Sequence, residues 1–102
     1  MKSQTHPLID SAKLETASSV LRAIAHPLRL RLIKYISDKD CINVNAIYHD
    51  MGLEQSITSQ HLRILREAKL VHTQRKGKFI FYTVNFSKIS HIVSVVDAFL
   101  AQ

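Results

Sequence analysis

Gln55, Ser56, Ser59, Gln60 and Arg63 put two carboxamides, two hydroxyls and a guanidinium within nine residues of chain. At helical spacing they fall on one side, while Leu62 and Leu65 mark the side that faces a core. A glutamine can bond an adenine edge in two places, an arginine can do so to guanine, and a serine hydroxyl serves bases or phosphates. A helix carrying that set fits a DNA major groove, although any solvated helix face can hold the same residue types. Arg75, Lys76 and Lys78 form a second group around Gly77. Long cations at such a turn can reach phosphates beside a groove or enter the minor groove, and turns are also commonly charged for solubility alone.

The elements that must position these groups can be read from the pattern around them. Met1 to Ile9 has no helical period and is expected to be a flexible tail, residues 1–9, ahead of one domain over residues 10–102. Asp10 can cap a first helix whose Leu14, Ala17, Leu21 and Ile24 recur at spacings of three and four. Proline disfavours α geometry at His26 and suits the first turn of a second helix, in which Leu28, Leu32 and Ile36 form a stripe widened by Leu30 and Ile33. Asp40 to Asn43 is a break, and Asn43 can cap a short helix from Val44 to about Met51. Gly52 supplies the left-handed residue that ends it, and the helix with the polar face follows from Gln55 or Ser56 to Ala68. From Leu70, LVHTQR and FIFYTV are β-branched and aromatic runs separated by Lys76-Gly77-Lys78, a hairpin turn. After Asn85 a last helix carries Ile89, Ile92, Val93, Val96, Phe99 and Leu100. The expected architecture is mainly α with a β-hairpin, in the order α-α-α-α-β-β-α: a helix-turn-helix followed by a wing.

Composition agrees with that plan. At 102 residues, with 46% hydrophobic and 22% charged residues, the chain has the makeup of one globular domain. Fourteen Lys and Arg against eight Asp and Glu leave a formal charge of +6, which favours a polyanionic partner or is simply solvated surface charge. A single cysteine, Cys41, excludes an intrachain disulfide and fits a reducing, cytoplasmic compartment. No apolar run approaches the roughly 18 residues of a membrane helix, so no membrane partner is expected.

LRAIAHPLRLRLI, QSITSQHLRILREAKLV and RKGKFIFYTV together resemble the ArsR/SmtB family of winged-helix bacterial repressors, over about Leu21 to Leu100. The resemblance implies that the residues at Gln55, Ser56, Ser59 and Gln60 touch DNA. One departure is local. Thr58 takes an inward position where the family usually has valine, and its hydroxyl can bond back to the carbonyl four residues earlier, while Ile57 is left facing solvent or DNA.

The apolar stripes of the first and last helices are left over once a winged-helix core is sealed. Leu14, Ala17 and Leu21, with Ile89, Ile92, Val93, Val96 and Phe99, are therefore expected to pair two copies across a two-fold axis, unless both stripes pack within one chain. A homodimer would set two reading helices about one DNA turn, roughly 34 Å, apart and demand a near-palindromic operator.

The family's familiar metal sites fall on residues that cannot serve. The resemblance puts the thiolate positions at Asn43 and Asn45, and the last-helix ligands at Phe86, Lys88, Phe99 and Gln102. The six histidines, His6, His26, His49, His61, His72 and His91, show no two-at-a-turn ligand spacing. Cys41 has no second thiol in the chain to resolve a sulfenic acid. No phosphate-binding glycine loop or nucleophile and base motif is present, so no enzyme, cofactor or metal is expected. The expected function is a sequence-specific, dimeric, metal-independent DNA-binding repressor. The alternatives are a metal- or thiol-responsive sensor with a non-standard site, and a winged-helix module for protein contact.

Overall fold

A computed structural model describes residues 10–101, so the tail expected over residues 1–9, with His6, and the position of Gln102 lie outside the described residues. The elements run α1 (Ser11–Ile24), α2 (Pro27–Lys39), β1 (Ile42–Asn43), α3 (Val44–Met51), α4 (Gln55–Glu67), β2 (Val71–Lys76), β3 (Phe79–Val84) and α5 (Phe86–Leu100).

Side chains immediately before the helices explain most of the starts. The Asp10 carboxylate accepts the amides of Ala12 and Lys13, and the Asn43 side-chain oxygen accepts that of Ala46. Asn85 does the same for Lys88 at the head of α5. Each satisfies a donor that a helix start leaves without an internal partner. Pro27 occupies the first turn of α2, where the His26 ring caps the amide of Leu28. Gly52 ends α3 with φ 62°, and nothing lies within 4 Å of where a Cβ would stand, so its need for glycine is conformational.

The end of α4 shows a different solution. The Lys69 amide donates to the Arg66 carbonyl and the Leu70 amide to the Leu65 carbonyl, both at 3.0 Å. That is a complete Schellman closure, with Lys69 in the left-handed region at φ 62° where glycine is the usual occupant. Asn85 then fastens the turn: its side-chain amide donates to the Lys69 carbonyl and its backbone amide to the Leu70 carbonyl.

The core is made by α2, α3, α4 and the sheet. Leu32, Ile36, Ile47, Leu62, Leu65, Leu70 and Val71 are fully buried, joined by Ile33, Ile42, Tyr82 and Val84. From α1 only Ala23 is buried to that degree, and α5 contributes no fully buried residue. Ile89 and Ile92 pack against the core from α5, so these two of the expected pairing residues are turned partly inward. Leu14, Ala17, Leu21, Val93, Val96 and Phe99 are exposed, and Phe99 retains 75% of its surface. Between the two helices lies a groove of about 320 Å³ lined by Ala17, Val20, Leu21, Ile92, Val95 and Val96 together with Lys88 and His91.

Two expectations need correction. The break at Asp40 to Asn43 contains a strand: Ile42 and Asn43 pair antiparallel with Tyr82 and Phe81, giving a three-stranded sheet in the order β1-β3-β2 rather than a lone hairpin. Leu30, assigned to the core stripe of α2, is 49% exposed, because the core meets α2 along Leu32, Ile33 and Ile36.

Candidate nucleic-acid interface

Gln55, Ser56, Ser59, Gln60 and Arg63 are all exposed, along with Ile57. The opposite side of α4 buries Thr58, Leu62 and Leu65. Thr58 makes the back-bond that its position calls for, its hydroxyl donating to the Glu54 carbonyl at 2.9 Å. Glu54 precedes the helix without a side-chain capping bond; its carboxylate instead accepts the Ser56 hydroxyl at 3.1 Å.

Packing within the helix-turn-helix adds a residue that sequence spacing did not identify. Tyr48 on α3 is hydrogen-bonded through its hydroxyl to that of Ser59 at 2.6 Å, placing a phenol beside the exposed face of α4. Eleven residues and a turn separate the two, so no periodicity within one helix could have paired them. Arg63 and Glu67 lie one turn apart with their charged groups 4.0 Å from each other, both exposed, which leaves the guanidinium free to exchange that partner for another.

The wing is a tight hairpin. Val71 to Lys76 pair in register with Val84 to Phe79, leaving Gly77 and Lys78 as the turn. Gly77 takes φ 62° as the first turn residue, a conformation that suits the twist of a two-residue hairpin. Lys76 lies over the Phe81 ring at 5.6 Å and Lys78 over Phe79 at 5.5 Å, so the aromatic pair steadies the stems of the cations while Arg75, Lys76 and Lys78 stay exposed. At the base of the wing, Arg66 of α4 donates to the buried Tyr82 hydroxyl of β3 at 3.4 Å. Burial pushes the Tyr82 phenol up, against the pull of Arg66. Helix α4 and the wing are thus carried on one core.

His61 points sideways from α4 toward the start of α2, where its ring lies 4.7 Å from that of His26 and its Nδ1 accepts the Arg29 Nε–H at 3.2 Å. Burial, then His26 and Arg29, hold its basicity below the usual imidazole range.

Residues 26–73 match the model of the bacterial regulatory protein, arsR family. The transcriptional repressor PagR of Bacillus anthracis is 32% identical over 89 residues, spanning 87% of this chain and 89% of PagR. The chain belongs to the arsR family. The crystal structure of NolR from Sinorhizobium fredii superposes with a TM-score of 0.75 at 30% identity, over 96% of each chain. That of PagR gives 0.69 at 31% identity, over 85% of this chain and 99% of PagR. The protein is therefore a winged-helix, DNA-binding transcriptional regulator, with α3 and α4 as its helix-turn-helix and β2 and β3 as its wing.

The positions where arsR-family resemblance would put metal ligands do not fit a metal. The Asn43 oxygen is committed as the cap of α3, Asn45 offers a neutral amide, and Lys88 directs its ammonium to the Ala68 carbonyl at 2.7 Å. Phe86 and Phe99 have no donor atom. Among the described residues, no group of three or more His, Cys, Asp or Glu side chains is gathered to hold an ion, and no helix is long and apolar enough to cross a membrane.

Proposed function

We propose that the protein is a metal-independent repressor that binds a near-palindromic duplex as a homodimer. In this reading Gln55, Ser56, Ser59, Gln60 and Arg63 meet base edges and the nearest phosphates in the major groove, and Arg75, Lys76 and Lys78 hold the flanking backbone. The observation that carries it is the exposed polar face of α4 directly opposite its buried Thr58, Leu62 and Leu65, on the same core as an exposed basic wing. PagR, the relative named above, is called a transcriptional repressor, and repression comes to this chain by that likeness.

The homodimer is supported by what one copy leaves uncovered. Leu14, Ala17 and Leu21 of α1 and Val93, Val96 and Phe99 of α5 stay exposed, with Ile89 and Ile92 beneath them. An apolar surface of that extent on a small domain calls for a partner, and a second copy presents the same surface. Independence from metal is supported by the occupations of Asn43 and Lys88, each already bonded within the fold.

A salt titration tests the wing directly. Each phosphate neutralised releases counterions, so the logarithm of affinity falls linearly with the logarithm of salt. Replacing Lys76 and Lys78 together with Ala should weaken binding to all duplexes alike and reduce the salt slope by roughly one for each lost phosphate contact. An unchanged slope would remove the wing from the interface. Added zinc or copper should leave the affinity where it was.

A further inference from the structure

The rings of His26 and His61 face each other across the seam between α2 and α4, with their planes inclined by 49°. In both, Nδ1 is an acceptor: His26 takes the Leu28 amide at 3.1 Å, and His61 takes the Arg29 Nε–H at 3.2 Å. A ring nitrogen accepts only when it carries no proton, so the bond from Arg29 is made to a neutral His61 with its hydrogen on Nε2. Arg29 reaches on past His61. Its Nη1 donates to the carbonyls of Ala23 at 2.9 Å and Arg22 at 3.2 Å, two acceptors that the end of α1 leaves without helical partners. One guanidinium thus joins the end of α1, the start of α2 and the middle of α4.

Basic side chains and one carboxylate surround this junction. From α2, His26 and Arg29 face His61. From α1, Arg22 lines the groove beside Arg29, its guanidinium held on the Ser18 hydroxyl. Glu67 of α4 lines that groove too, but it lies toward Arg63. The strand β2, also packed on α4, carries His72, Arg75 and Lys76, and none of them acts on His61. No carboxylate among the described residues is hydrogen-bonded or ion-paired to His61.

We propose that Arg29 is a positioning residue for DNA binding, holding the reading helix to α1 through a neutral His61, and that a proton on His61 opens this tie and weakens specific DNA binding. The inference rests on α4 as the DNA-reading helix. A proton on Nδ1 turns the acceptor into a donor, so two N–H groups and two cations would face each other where a hydrogen bond had been. The fold holds His61 less basic than a free imidazole, so the opened junction takes the proton more readily. The tie is fully present above about pH 6.5, the ordinary imidazole value, and its contribution is lost as the pH falls from there through the lower value that the fold imposes on His61. This sign is the reverse of the generic one, since added positive charge ordinarily strengthens binding to DNA.

The test compares the affinity of the parent, His61→Asn and Arg29→Met for one selected duplex at about pH 7.5 and about pH 5.5, at fixed salt. The asparagine oxygen stands where Nδ1 stood, accepts from Arg29 and does not titrate. The parent should lose about tenfold in affinity on acidification, while His61→Asn holds within about twofold. Arg29→Met should bind weakly at both values with no pH step. Tighter binding by the parent at the lower pH, or a pH step kept intact in His61→Asn, would overturn the proposal. Amide hydrogen exchange on the free protein reads the same tie without DNA. Protection at the centre of α4, corrected for intrinsic rate, should fall on acidification in the parent and not in His61→Asn. A parent that binds no duplex would remove the DNA reading alone, whereas α4 protection indifferent to pH would remove the tie.

Discussion

Thr58 shows how a single polar side chain is accommodated in this core. It is fully buried, and its hydroxyl donates to a Glu54 carbonyl that already receives the Thr58 amide at 3.0 Å. Removing the hydroxyl therefore strands no partner, and the dehydrated oxygen is itself relieved. Thr58→Val should leave stability within about 0.5 kcal/mol of the parent or raise it, whereas Thr58→Ala, which opens a gap, should cost about 1–2 kcal/mol. Urea midpoints at unchanged slope measure both, and a large loss in the valine variant would show that the second bond to Glu54 matters. The inward turn of Thr58 and the exposure of Ile57 were legible from the spacing to Leu62, because helical period depends only on neighbours in sequence. The Tyr48 bond to Ser59 and the Arg29 bond to His61 were not, because they are set by how one helix crosses another.

Among the elements, the end of α4 holds one of the two described non-glycine residues at positive φ, the other being Asp40. Lys69 sits at φ 62°, where a side chain costs roughly 1–2 kcal/mol relative to glycine, and its bonds to Arg66 and Asn85 are made by backbone atoms that glycine also possesses. Lys69→Gly should thus stabilise the domain by about 1 kcal/mol, a rise of roughly 4–8 °C in Tm. A fall in Tm would mean that the lysine side chain makes a contribution outweighing its backbone conformation. Helix starts were readable because Asp10, Asn43 and Pro27 act on their own next turn. The strand β1 was not readable: two residues carry no alternation, and their partners Tyr82 and Phe81 lie about forty residues further along the chain. The hairpin was readable because its turn is local.

For the whole molecule, the distribution of burial is uneven. The core closes over α2, α3, α4 and the sheet, while α5 ends with Phe99 and Leu100 at 75% and 71% exposure. The apolar residues of α1 and α5 were legible as stripes. The inward lean of Ile89 and Ile92 was not, since period alone does not say which edge of a stripe meets the chain's own core. If two copies pair through this surface, Val96→Glu should give a monomer in sedimentation at micromolar concentration with its helix content retained, and should weaken operator binding by much more than it lowers stability. A variant that remained dimeric would move the interface elsewhere.

In the proposed function α4 reads bases and two copies present it together. Selection of bound duplexes from a random pool at low salt examines both parts in one measurement. The expected product is an enriched near-palindrome whose half-sites are centred about one helical turn, roughly 34 Å, apart. Enrichment of a single unrepeated half-site, or of no sequence at all, would contradict that function.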